Sequence, residues 1–290
     1  MLISLARPEQ SHIDVEIIKF PDGQQSIKIL KPNSLFRDEP LTISTRLNNF
    51  QDVELLCCLV AAIRNVVPDK KIKLWVPYLL GSRSDRKFEE GGVNYLKQVI
   101  APIINSLKFY SVEVMDPHSD VIEGVIDNVI CHSNFQLVME AFAVHTHRED
   151  RVAIVAPDAG SLKKIFKLVN TINDTHSFVH AITSIHTASK VRQLSTGRIL
   201  KTELYTTAPL NDADHLFIID DICDGGRTFI ELAKVIREKG YEEKLHLIVT
   251  HGIFSKGLQV VKDHFDSIST TDSYQDFSLD SNEIFIKEVM

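Results

Sequence analysis

Short apolar runs separated by stretches long enough for a helix are what most constrain this chain. They fall at Lys71–Tyr78, Phe109–Met115, Val152–Ala156, Phe178–Ile182, Leu216–Ile219 and Leu245–Thr250. Strands of this length with helix-length spacers predict βαβ units, because parallel neighbours need a crossover connection. Helices are predicted at Asp52–Val66, where Leu55, Leu56, Leu59, Val60 and Ile63 share one face, at Tyr95–Leu107, and at Ser161–Val169 with Ser161 as N-cap. Apolar periodicity lapses over His145–Arg151, so the predicted domains are residues 1–147 and 148–290. A length of 290 residues with 44% hydrophobic content suits two domains.

A net charge of −7, with no long block of one sign, argues against a nucleic-acid surface. No apolar stretch is of membrane-spanning length and the first residues carry no signal-peptide pattern, so no membrane partner and a cytoplasmic location are expected. The cysteines, Cys57, Cys58, Cys131 and Cys223, lack zinc spacing and read as buried reduced thiols.

The richest segment is residues 215–228, His-Leu-Phe-Ile-Ile-Asp-Asp-Ile-Cys-Asp-Gly-Gly-Arg-Thr. An apolar strand ends in Asp220 and Asp221, and Phe229, Leu232, Val235 and Ile236 then recur at helical spacing. Ligands of open α/β sheets bind beyond the carboxyl ends of the strands. Backbone amides around Gly225 and Gly226 can close on phosphate oxygens, and the two carboxylates can take ribose hydroxyls or a hydrated Mg²⁺. Ordinary βα-loop chemistry, with Asp capping and Gly turning, is the plainer reading of the same residues.

Further segments have the same character. Val155-Ala-Pro-Asp-Ala-Gly160 puts Asp158 at a strand tip, and Asp116-Pro-His118 puts His118 at another. Ser82-Arg-Ser-Asp-Arg-Lys87 sets three cations within five residues, either a solvated loop or a polyphosphate clamp. Phe20-Pro-Asp-Gly-Gln24 reads by itself only as a turn. The polar insertion Thr183–Thr207, with Lys190 and Arg192, is either an active-site flap or a small hairpin. No P-loop, dinucleotide fingerprint, zincin or nucleophile-elbow pattern occurs.

Taken in order, Phe20-Pro-Asp-Gly, Arg83-Ser-Asp-Arg-Lys87, Asp116-Pro-His118, Pro157-Asp-Ala-Gly160, Asp220 to Thr228, and Thr250-His-Gly-Ile-Phe-Ser255 resemble the ribose-phosphate pyrophosphokinases. The resemblance implies an α/β chain of two phosphoribosyltransferase-like, Rossmann-like domains with mainly parallel sheets. The first would be the ATP side, and the second the ribose-phosphate side with a flap at about 183–207. It implies transfer of the β,γ-diphosphate of ATP to the anomeric hydroxyl of a ribose phosphate, with Mg²⁺ as cofactor. By the same resemblance Phe20, Asp22, Gln24, Arg83, Ser84, Asp85 and His118 would bind ATP, while His118 and Asp158 would hold Mg²⁺. Asp158, Asp220 and Asp221, with Asp224, Gly225, Gly226, Arg227 and Thr228, would hold the ribose phosphate, and Lys190 and Arg192 would be the catalytic pair of the flap.

The chain departs from the family pattern at Gln24 and Ser84, and at Gly225-Gly226-Arg227. The latter admits an acceptor with a diphosphate at the 5-position, such as ADP-ribose, and hence a role in NAD synthesis. A homo-oligomer, dimer or hexamer, is expected from the resemblance. The competing readings are a type I phosphoribosyltransferase, which would need one such domain, and an inactive regulatory homologue.

Overall fold

The computed structural model describes residues 1–175, 182–192, 199–277 and 284–290. The chain divides into two compact units, Met1–Ser133 with Val289–Met290, and Asn134–Glu288.

The first unit contains β1 (Leu2–Ser4), β2 (Val15–Lys19), β3 (Gln25–Ile29), β4 (Leu41–Ser44), α1 (Phe50–Val66), β5 (Ile72–Trp75), α2 (Ala101–Ser106), β6 (Ser111–Met115) and β7 (Val129–His132). Its main sheet runs β1-β4-β5-β6-β7, with every pairing parallel. Ile43, Leu74, Val112 and Val114 point from it into one core with Leu56, Leu59, Val60 and Ile63 of α1. Helix α1 begins at a capping box: Asn49 Oδ1 accepts from Gln51 N at 2.8 Å and Asp52 N at 3.2 Å, and Asp52 Oδ2 accepts from Asn49 N at 3.1 Å. Strands β2 and β3 form a separate antiparallel hairpin.

The helix predicted at Tyr95–Leu107 starts with a wide turn, in which Ala101 N donates to Leu96 O five residues back. Pro102 has no N–H to continue the ladder, and a regular helix, α2, takes over from Ala101.

The second unit contains α3 (Phe135–His145), β8 (Val152–Ala156), α4 (Ala159–Thr175), β9 (Ile182–Arg192), β10 (Ile199–Tyr205), β11 (His215–Cys223), α5 (Arg227–Glu238), β12 (Lys244–Gly252), α6 (Leu258–Lys262), β13 (Ser267–Thr271) and β14 (Ile284–Lys287). The sheet order is β10-β9-β8-β11-β12-β13-β14, and only the edge pair β10–β9 is antiparallel. Along β11, Leu216 and Ile218 enter one apolar cluster while Phe217 and Ile219 enter another. Helices cover both faces, which is why this strand reads as an unbroken apolar run. The polar stretch His145–Arg151 lies between α3 and β8, inside the second unit. The insertion at 183–207 contributes the antiparallel ribbon β9–β10.

At the amino ends of the central strands sits a histidine cluster. His215 Nδ1 and His246 Nε2 are 2.9 Å apart, His246 Nδ1 meets Ser267 Oγ at 2.7 Å, and His215 Nε2 meets Asp150 Oδ2 at 3.1 Å. His145 stacks on His246 with ring centres 5.4 Å apart. Burial pulls the His246 imidazole down to about 3, with His215 and His145 adding repulsion, and lowers His145 and His215 as well. Among the described residues no helix is long and apolar enough to cross a membrane.

Candidate active site

In the second unit the carboxyl ends of β8 and β11 bring the predicted acceptor residues together. Strand β11 does not stop at Ile219 as its apolar run suggests. It continues through Asp220 and Asp221 to Cys223, with Asp220 opposite Val249 and Cys223 opposite Gly252 of β12. Local propensity disfavours Asp in a strand, and the ladder with β12 overrides it. Asp221 is buried, with Lys164 Nζ at 3.9 Å from its Oδ2. Loss of surrounding water, then the charges of Asp221 and Asp158, hold the Asp220 carboxyl well above the ordinary carboxylate range. Burial, followed by repulsion from Asp220 and Asp224, pushes the Cys223 thiol up to about 12, so it is an inert packing group. The other cysteines are half-buried rather than buried.

The two loop glycines differ. Gly226 has φ +75°, and a methyl group there would stand 2.4 Å from Val261 Cγ2, so this position requires glycine. Nearest to a methyl group at Gly225 would be Lys256, at 3.5 Å from Cε and 3.6 Å from Cδ, which is ordinary contact. Arg227 is exposed and its Nε donates to Glu231 Oε1 at 2.6 Å, one turn along α5. Asp224 and Thr228 flank the glycine turn, both half-buried.

A second wall comes from the segment after β12, which the sequence reading noticed without giving it a role. Ile253 N and Phe254 N donate to Cys223 O at 2.9 and 3.1 Å, and Ser255 N donates to Asp224 O at 3.2 Å. Phe254 adopts φ +45°, a left-handed backbone that is uncommon outside glycine. Gln275 Nε2 holds Gly252 O at 3.1 Å and Ile253 O at 2.9 Å.

Asp158, not Ser161, caps the helix after β8. Its Oδ1 accepts from Gly160 N at 2.9 Å and Ser161 N at 3.1 Å, and Ser161 Oγ returns to Asp158 O at 2.9 Å. Helix α4 accordingly begins at Ala159, two residues before the predicted start. Lys190 and Arg192 lie on β9, paired with Thr202 and Ile199 of β10, while their side chains fall outside the described residues.

In the first unit, loop 82–87 and the segment Asp116–His118 meet beyond β5 and β6. The Asp85 carboxylate is buried, bonded to Ser119 Oγ and, at 3.1 Å, to Arg86 Nε. Despite its burial, these bonds and the charges of Arg86 and His118 keep Asp85 below the usual range. Asp85 therefore anchors the loop, while Arg83 is exposed and Ser84 half-buried. Asp116 takes φ +38° and its N donates to His132 O at 2.7 Å, which turns the chain so that His118 is exposed. Phe20, Asp22 and Gln24 stand exposed at the tip of the β2–β3 hairpin, where Gln24 N donates to Asp22 Oδ1 at 3.1 Å.

Among the described residues, no group of three or more His, Cys, Asp and Glu side chains is arranged to hold a metal ion. The crowding of Asp158, Asp220 and Asp221 that raises the Asp220 carboxyl is nevertheless an excess of negative charge that suits a hydrated Mg²⁺. Mg²⁺ keeps several waters and is commonly shared with substrate phosphates.

No family model matches the chain. It is 25% identical over 254 residues to a ribose-phosphate pyrophosphokinase of Pyrococcus abyssi, covering 84% of this chain and 78% of that one. A ribose-phosphate pyrophosphokinase of Maricaulis maris is 27% identical over 268 residues, covering 91% and 79%. The fold is similar to that of a phosphoribosylpyrophosphate synthetase from Mycobacterium smegmatis, with TM-score 0.77 and 16% identity over 97% of this chain and 87% of that one. The chain is thus similar in sequence, over most of its length, to ribose-phosphate pyrophosphokinases, and it shares the fold of a phosphoribosylpyrophosphate synthetase.

Proposed function

We propose that the protein transfers the β,γ-diphosphate of ATP to the anomeric hydroxyl of a ribose phosphate. The observation that carries this is the grouping of Asp158, Asp220 and Asp221 beside the Gly225-Gly226 turn, at the carboxyl end of a parallel sheet. Asp220 and Asp221 accept hydrogen bonds from the ribose hydroxyls, and the loop amides from Asp224 to Thr228 receive the 5-phosphate. The first unit supplies the nucleotide contacts: Arg83 and Ser84 on a loop fixed by Asp85, with His118 beside it. Phe20, Asp22 and Gln24 are the adenine-side residues.

The anomeric O1 forms a bond to the β-phosphorus as the bond from that phosphorus to the oxygen bridging the α-phosphate breaks. AMP leaves with the bridging oxygen, and the O1 proton passes to solvent. Such a reaction needs little covalent help and depends on in-line positioning and on neutralising the phosphoryl oxygens. Lys190 and Arg192 are assigned that neutralising role, and the β9–β10 ribbon excludes competing water. Mg²⁺, for which His118 of the first unit and Asp158 of the second are the candidate ligands, would supply further charge neutralisation at the ATP phosphates.

Ribose 5-phosphate is the acceptor we favour over ADP-ribose, because Arg227, the residue offered for a second phosphate, is engaged with Glu231. The likeness to ribose-phosphate pyrophosphokinases over most of the chain also supports a diphosphokinase over a type I phosphoribosyltransferase or an inactive homologue. We further infer a cytoplasmic homo-oligomer. The partly exposed Ile17, Ile18 and Phe20 on the hairpin are a surface suited to a second copy, and sedimentation velocity reads its size.

The test is product analysis by mass after incubating the protein with ATP and Mg²⁺ and, separately, ribose 5-phosphate and ADP-ribose. AMP and a diphosphorylated ribose 5-phosphate are expected. Exclusive use of ADP-ribose would reverse the choice of acceptor and restore the role in NAD synthesis, while absence of AMP with both would sink the activity.

A further inference from the structure

We infer that Lys256 is a phosphate-binding residue of the acceptor site, a role that rests on the acceptor reading above. The stretch Asp220–Asp224, the end of β11 and the residue that follows it, carries three carboxylates, and a phosphate dianion brought to it meets strong repulsion unless a cation stands close. Arg227 is turned along α5 to Glu231, and Lys164 is drawn to Asp221. Lys256 is different: its aliphatic stem lies against Gly225 itself, with Cε, Cδ and Cγ at 3.5, 3.6 and 3.8 Å from where a side chain would begin.

That placement is fixed by the backbone. Three amides, of Ile253, Phe254 and Ser255, donate to the carbonyls of Cys223 and Asp224, so the segment bearing Lys256 is stitched to the phosphate loop. Phe254 at φ +45° turns the segment, and Gly252 leaves room for its ring, since a methyl group there would stand 2.3 Å from Phe254 Cε2. Gly225 has no positive φ and no tight neighbour, so its lack of a side chain serves to leave the surface on which Lys256 rests. A lysine stem packed on an apolar surface with its ammonium in water is a flexible point charge, suited to a phosphate already held by loop amides.

Lys256→Met keeps the stem and removes the charge, and Lys256→Arg keeps the charge. Calorimetric titration of the full chain with ribose 5-phosphate is expected to show about tenfold weaker binding for Lys256→Met, the size of a charge-assisted contact. Lys256→Arg should stay within about threefold of wild type. In turnover, Lys256→Met should raise KM for the acceptor with kcat retained, the pattern of lost uniform binding. Protection against thermal unfolding by inorganic phosphate tests the lysine independently of the sugar. A wild type that ignores ribose 5-phosphate but loses phosphate protection in Lys256→Met keeps the lysine and overturns the acceptor reading. Equal phosphate and ribose 5-phosphate binding by wild type and Lys256→Met overturns the proposal.

Discussion

Arg227 Nε and Glu231 Oε1 lie 2.6 Å apart across one turn of α5, so the guanidinium that follows the glycine pair is directed along the helix. An exposed pair of this kind has little effect on stability. Arg227→Ala is expected to leave the urea midpoint and KM for ribose 5-phosphate within about twofold of wild type, against the much larger loss typical of a desolvated phosphate contact. A rise in KM for ADP-ribose alone would show that Arg227 leaves Glu231 to meet a second phosphate.

Gly226→Ala places a methyl group 2.4 Å from Val261 on a backbone of φ +75° and should destabilise the chain by roughly 1–3 kcal/mol. Gly225→Ala meets only ordinary contacts and should change the unfolding midpoint little. Equal midpoints for the two variants would contradict this division.

Asp158 has a capping role that any ligand role must be separated from. Asp158→Ala should cost about 1 kcal/mol through the lost cap, whereas Asp158→Asn keeps a capping oxygen and should unfold near wild type. If Asp158→Asn also keeps the Mg²⁺ dependence of turnover, the residue is a cap and nothing more.

Asp220 binds a proton more readily than an ordinary carboxyl because of burial and its acidic neighbours. Sugar hydroxyls donate best to the ionised form, so acceptor affinity should rise with pH through the Asp220 titration, with a proton released on binding. Titration in buffers of different ionisation enthalpy measures that release, and Asp220→Asn should abolish it.

The histidine cluster sets an acid limit. His246 has a folded value of about 3 against 6.5 unfolded, so the unfolded chain takes up the proton first. Its contribution is complete above about pH 6.5 and declines as pH falls toward 3, by up to about 1.4 kcal/mol per pH unit for each such histidine. His145 and His215 act in the same direction. Urea midpoints measured from pH 8 to 5 should fall, and His246→Phe should flatten the curve; no dependence in the wild type would refute the account.

The buried parallel strands were legible because burial on both faces leaves an unbroken apolar run, and β8 coincides with its run at both ends. Of the strands of the first unit that escaped notice, β1, β4 and β7 are only three or four residues long, too short to show a period, and β2 and β3, five residues each, flank the segment that reads only as a turn. Helix α3 was missed because Phe135–His145 is apolar nearly all round, with little amphipathic contrast to read. At the candidate site the Asp pair and the glycine turn were visible in one continuous segment. Lys256 was not, since its place beside Gly225 depends on pairing between β11 and β12 and on the turn at Phe254. Asp85 was legible as part of a charged loop, but its inward direction follows from Ser119, thirty-four positions away.

Because β11 runs through Asp220 and Asp221 before the chain turns, both carboxylates ride on backbone tied into a ladder rather than on a wandering loop. Little conformational freedom is left to surrender when a sugar arrives, and that saved entropy goes directly into affinity. The sugar end of the acceptor thus meets a preorganised surface, and adaptation to acceptors of different length is left to the exposed side chains around the phosphate turn.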